Sequence, residues 1–161
     1  MRATYDPVRP LYRALLVFDA VAILILVIGL GEFLYFEPPG QKTGLKATIV
    51  GVYVYDPATH MTSGPDRSAF SRTQEFAAVV DWKSLPQNIV VDARWYDSFG
   101  AVVGRVGPGT PAQLADQTSI PVGTPASRTH NLPGHYLFVV ERLENGVPVE
   151  VLARRIVRVE Q

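Results

Sequence analysis

The chain has 161 residues, fifteen basic and fifteen acidic, with a formal net charge of zero and no long run of either sign, which argues against a nucleic-acid partner. It contains no cysteine, which excludes a disulfide framework, thiolate metal sites, c-type haem attachment, a lipid anchor on cysteine and thiol catalysis. The length suits one membrane segment and one domain of about 110 to 120 residues.

Residues 1–13 form a short N-terminal segment with Arg2, Arg9 and Arg13 against a single Asp6. Residues 14–36, ALLVFDAVAILILVIGLGEFLYF, are apolar nearly throughout. As a helix they would run about 35 Å, enough to cross a hydrocarbon core of about 30 Å with some tilt. Tyr12 and Phe18 lie toward one end and Phe33, Tyr35 and Phe36 toward the other, as interfacial aromatic belts do. The bulky Glu32–Phe36 segment offers no small-x-small cleavage site, so the expectation is a retained transmembrane helix rather than a signal peptide. The excess of arginine before the span predicts a cytoplasmic N-terminus and an extracytoplasmic C-terminal domain.

Asp19 lies about 9 Å into this span, where a lipid-facing charge costs a few kcal/mol. Either it snorkels to the headgroups or is protonated, or it meets a polar group on a neighbouring helix; a proton path resting on one carboxylate is the weakest reading. Gly29 and Gly31 are candidates for close helix approach, although their spacing is not GxxxG. The span has no histidine to ligate haem or a chlorophyll-type pigment. No cofactor is therefore expected on the chain's own side chains, while pigments, haem or lipids of a host complex could lie nearby.

Pro38 and Pro39 end the span and stiffen a linker over residues 37–46. From residue 47 to 161 the pattern is that of strands and turns. ATIVGVYVYD places Thr48, Val50, Val52 and Val54 on one face, EFAAVVDW places Phe76, Ala78, Val80 and Trp82 on one face, and NIVVDARWYD does the same with Ile89, Val91, Ala93 and Trp95. A turn is expected at Phe99-Gly100, and Asn145-Gly146 between two apolar runs is a strong hairpin signal. Six or more such strands predict a mainly β, antiparallel sandwich with Trp82, Trp95, Tyr136 and Phe138 in its core. Two long connections, Asp56 to Glu75 and Gly107 to Pro133, are expected to be functional or disordered loops, with room for short strands in the second, and a binding partner is one reason for them to be ordered.

VVDARWYDSFGAVV resembles the C strand of an immunoglobulin-like domain and the hairpin after it, with Trp95 at the core position. LPGHYLFVVERLENGVPVEVLARRIVRV is similar to the closing F–G hairpin of bacterial Ig-like or fibronectin-like domains, where Gly-x-Tyr, here Gly134-His135-Tyr136, opens strand F. The resemblance covers roughly residues 75–160. It implies adhesion, docking or structural roles and transfers no catalytic residue.

His60, His130 and His135 form no evident ligand set, and neither a nucleophile elbow nor a phosphate-binding loop occurs. Asp81, Asp92 and Asp97 read as solvated positions or turn caps. Arg154, Arg155 and Arg158 make the last strand basic, either as a solvated edge or as a docking patch for an acidic partner. Arg155 shares the parity of Val157 and Val159, which predicts a bulge or an edge there.

These features lead to the expectation of a non-catalytic accessory subunit in the inner membrane of a bacterium, with a periplasmic domain bracing the outer-face domains of integral membrane subunits. The arrangement is similar to single-helix accessory subunits of bacterial photosynthetic reaction-centre or respiratory complexes. The alternative is a stand-alone envelope binding module: an adhesin, chaperone or assembly factor.

Overall fold

The computed structural model describes residues 15–27, 43–123 and 130–161. The chain divides into two units, Met1–Glu37 and Pro38–Gln161. In the first, residues 15–27 form a helix, α1, with every residue exposed. Among the described residues, no helix is long and apolar enough to cross a membrane. The remainder of the expected span, including Gly29 and Gly31, lies outside them.

The second unit holds nine described strands: β1 (Thr48–Asp56), β2 (Met61–Ser63), β3 (Ala69–Ser71), β4 (Phe76–Asp81), β5 (Val90–Tyr96), β6 (Val102–Gly109), β7 (Gln117–Pro121), β8 (Gly134–Glu144) and β9 (Val147–Glu160), with a 3₁₀ turn at Pro111–Gln113. They form a four-stranded sheet in the order β2-β1-β4-β7 and a five-stranded sheet in the order β3-β9-β8-β5-β6. The alternating side chains of both sheets enter one core. Val52, Phe76, Ala78, Val80 and Ile120 come from the first sheet, and Val91, Ala93, Trp95, Phe138 and Val157 from the second.

An aromatic cluster joins the layers. Phe76 meets Trp95 edge-on with centroids 5.4 Å apart and Tyr136 edge-on at 5.6 Å, and stacks on Phe70 at 4.6 Å. Such edge-to-face pairs add about 1 kcal/mol beyond their buried area. Trp95 Nε1–H also donates to the Ile120 carbonyl at 2.8 Å, a buried bond from one sheet to the other. Trp82, Trp95, Tyr136 and Phe138, the expected core residues, are all buried.

The β8–β9 hairpin turns at Asn145-Gly146. Both have positive φ, 53° and 79°, as the tight turn preferred between twisted strands requires. One strand face differs from the sequence pattern. A bulge between Ile49 and Gly51 puts Val50 out of register, 41 % exposed. The core-facing set of β1 is therefore Ile49, Val52 and Val54, not Thr48 and Val50. A bulge adds one residue to a strand and reverses the parity before it, which alternation alone does not reveal.

Candidate functional site

The outer face of the five-stranded sheet carries the unusual chemistry of the domain. Along β5, Val91, Ala93 and Trp95 point into the core, so Asp92, Arg94 and Tyr96 point away from it. Asp92 is nevertheless fully buried. Arg105, opposite Arg94 on β6, reaches it with Nε 3.0 Å from Oδ1 and Nη2 2.8 Å from Oδ2. Arg94 donates to the same carboxylate through Nε at 2.7 Å and through Nη2. Two arginine forks thus close over one carboxylate, the strong bidentate geometry of guanidinium pairs. Asp92 is neither a solvated position nor a turn cap. Its burial comes from a cross-strand partner on β6, which its own strand's alternation cannot show.

Directly across from Asp92 on β8 stands Glu141, 8 % exposed. Its Oε2 is buried without a hydrogen bond, and the nearest cation, Arg94 Nη1, is 4.0 Å away. Burial raises its pKa, Arg94 opposes the rise and the neighbouring Asp92 adds to it. For Arg94, burial alone would lower the pKa, but hydrogen bonds to Asp92 and Tyr96 outweigh it and raise it.

Beside this buried charge cluster, register aligns Val102, Tyr96, Leu137 and Ile156 across four strands of the same face. The next row on one side is Arg105, Arg94, Val139 and Arg154, and on the other His135 pairs with Arg158. Val102 and Ile156 are 51 % and 57 % exposed. The β5–β6 turn at the end of the apolar row presents Phe99, 80 % exposed. Asp97 holds that turn rigid by accepting the Phe99 and Ala101 amides at 2.9 Å each. Asp97 is therefore a turn cap, as is Asp81, which accepts the Lys83 amide at 2.9 Å.

The three arginines of the last strand do not form one patch. Arg154 and Arg158 lie on the outer face with Ile156. Arg155 pairs with Phe138 on the core-facing side, and the bulges of this hairpin lie elsewhere, between Val140 and Glu141 and between Arg142 and Leu143. Its guanidinium leaves the core at the strand's margin, with Nη2 3.1 Å from Asp66 Oδ2. Asp66 also accepts the Val52 amide at 2.8 Å, so Arg155 fastens the first long connection.

Both long connections contain strands: β2 and β3 in the first, β7 in the second. β3 crosses to the five-stranded sheet and runs parallel to β9. The connections also hold each other. Asn131, 4 % exposed, donates its side-chain amide to the Gln74 carbonyl at 2.9 Å and its backbone amide to the Arg72 carbonyl at 3.1 Å. These internal bonds tie the described parts of the two connections together.

A second polar cluster receives the chain as it enters the domain. Glu150 accepts the Thr43 amide at 2.7 Å and its hydroxyl at 2.8 Å, and Arg142 Nε donates to it at 3.1 Å. Burial would raise the Glu150 pKa, but these donors prevail and lower it.

Among the described residues no three His, Asp or Glu side chains gather as a metal cluster would. His60 pairs with the Tyr55 hydroxyl at 2.9 Å, and His135 lies opposite Arg158. Asp19 lies within α1, exposed like its apolar neighbours. Compared with known proteins, the sequence matches no family model and no curated protein.

Proposed function

We propose that the chain is a non-catalytic accessory subunit of a multi-subunit membrane complex, anchored by residues 14–36 and bracing outer-face domains with its β unit. The observation that carries this reading is the surface of α1. Leu15, Phe18, Ile23, Leu24, Ile25 and Leu26 are each at least 57 % exposed, and their positions go all round the helix. A helix apolar on every side is stable where lipid or other helices cover it. Asp19 in that surface favours other helices over lipid alone, because a partner can satisfy its carboxylate. A photosynthetic reaction centre with its light-harvesting ring, or a respiratory complex, is the kind of host that fits; its pigments or haem would be bound by other subunits.

For the β unit we propose an Ig-like sandwich. Strands β1-β4-β7 correspond in order to A-B-E and β9-β8-β5 to G-F-C, with Trp95 in the C position. Tyr136, near the start of β8, accepts the Leu132 amide on its hydroxyl at 3.0 Å, in the manner of the tyrosine corner of such domains. The stand-alone envelope module remains the second reading, since the β unit alone could serve it.

The test is isolation of the tagged full chain from its native membrane in mild detergent. The accessory reading expects integral subunits at fixed stoichiometry. Recovery of the chain alone would favour the stand-alone module and overturn the accessory role.

A further inference from the structure

We infer that Asp19 forms an ion pair with a basic side chain, Lys or Arg, on a neighbouring transmembrane helix of another polypeptide. The inference rests on the accessory reading and names the chemistry of the partner that α1 meets. Asp19 is the only charged residue of α1, and it is exposed among exposed apolar side chains. Among the described residues it has no hydrogen bond or ion pair. The chain does not carry a counterion for it on this helix. The nearest cation in sequence, Arg13, is six residues away, whereas side chains along a helix meet at separations of three and four. The next, Lys42, lies beyond the expected span. Nor does the carboxylate reach the headgroups. It stands about 9 Å along the helix from Arg13, on a side chain of one methylene, without the long stem by which Lys and Arg snorkel.

The surroundings of Asp19 suit a second helix. Leu15 and Leu16 lie one turn before it on the same side, and Ala22 and Ile23 one turn after, all exposed. The small Ala22 lets another backbone come close, while the larger side chains enclose the polar contact. Charge decides what that helix carries. An acid inside a membrane pairs with an opposite charge across a helix interface, because nothing in hydrocarbon solvates it. The expected topology puts Asp19 in the cytoplasmic half of the span. Lys and Arg are enriched at the cytoplasmic ends of membrane helices, and their long stems bring a cation down to that depth from a neighbour's first turns. The complement of this face is therefore an apolar helix with one Lys or Arg near its cytoplasmic end.

The experiment places p-benzoylphenylalanine at Leu16 and at Ile23, on the Asp19 side of α1, and at Val21, on the opposite side. Native membranes carrying each full-length chain are irradiated, and the adducts are identified by mass spectrometry. The inference expects Leu16 and Ile23 to give one common polypeptide adduct, through an apolar helix that carries Lys or Arg, and Val21 to give none of it. Asp19→Asn keeps the size and hydrogen-bonding capacity but loses the charge, and should lower that adduct severalfold. Asp19→Glu keeps the charge and should retain most of it, with both variants staying in the membrane through alkaline carbonate. An adduct indifferent to Asp19→Asn would mean a neutral contact and overturn the inference, as would one that Asp19→Glu abolishes equally. Adducts to lipid alone, to a second copy of this chain, to a helix without Lys or Arg, or no adduct would also overturn it. If integral subunits co-purify but no such adduct forms, the ion pair is wrong and the accessory role stands. If the adduct forms with a protein that does not co-purify as a subunit, the ion pair stands and the accessory role falls.

Discussion

At the scale of single residues, the domain's least conventional group is Glu141. A buried carboxylate oxygen without a hydrogen bond costs on the order of 1–3 kcal/mol, and Asp92 directly across the ladder adds like-charge repulsion. The folded state therefore holds the proton on Glu141 more tightly than the unfolded chain, whose carboxyl titrates near 4.5. The native state binds more protons in the window above 4.5, so this group lowers stability as pH rises through its folded pKa and leaves it unaffected below 4.5. Glu141→Gln should accordingly stabilise the full chain at pH 7.5 by about 1 kcal/mol, or about 4 °C in Tm. The gain should fade as pH is lowered toward 4.5, read by thermal melts at a series of pH values. An unchanged or lower Tm at pH 7.5 would contradict this account of the cluster. None of it could be read from one strand at a time. Alternation placed Asp92 on the outward face, correctly, but burial there depends on Arg105 arriving from another strand.

At the scale of elements, what was legible followed alternation and turn chemistry. β4, β5 and the β8–β9 hairpin combine regular apolar spacing with Asn-Gly or Gly turns, and their core residues fall where the pattern puts them. β7, Gln117–Pro121, has little apolar alternation, and β2 and β3 are three residues each, so the long connections hid them. These strands exist because partners supply their ladders. The margin where β6 meets β7 is equally invisible in sequence. Gly123 donates its amide to the Val103 carbonyl, and a Cβ on Gly104 would stand 2.3 Å from the Pro121 carbonyl and 3.1 Å from Trp95 Cδ1. Here glycine is required for space, since the obstacle is backbone and cannot swing aside. Gly104→Ala should cost about 3 kcal/mol, as overpacking against fixed atoms does. The check is the denaturant midpoint of the full chain in detergent; a midpoint within error of wild type would show that the β6–β7 approach is looser than described.

At the scale of the whole molecule, the β unit and the helical segment make separate demands. The β unit buries its own core and spends Arg155, Asp66, Asn131 and Glu150 on tying its connections and entry point. Residues 15–27 bury nothing of their own, and their apolar surface calls for lipid or neighbouring helices. The mainly β character of the second unit was legible because strand periodicity is local. The outer face of the five-stranded sheet was only half legible: Arg154 and Arg158 were visible as basic residues, but their alignment beside Val102, Tyr96, Leu137 and Ile156 depends on register among four strands.

The central claim is that residues 14–36 hold the β unit on the outer side of a membrane. The absence of cysteine allows its most direct test, labelling of single-cysteine variants in spheroplasts with a membrane-impermeant maleimide. Met61→Cys, at a position 67 % exposed in the β unit, should label in intact spheroplasts, whereas Thr4→Cys should label only after lysis, and both chains should stay with the membrane through alkaline carbonate. Release into the carbonate supernatant, or labelling of both positions from the same side, would contradict the account.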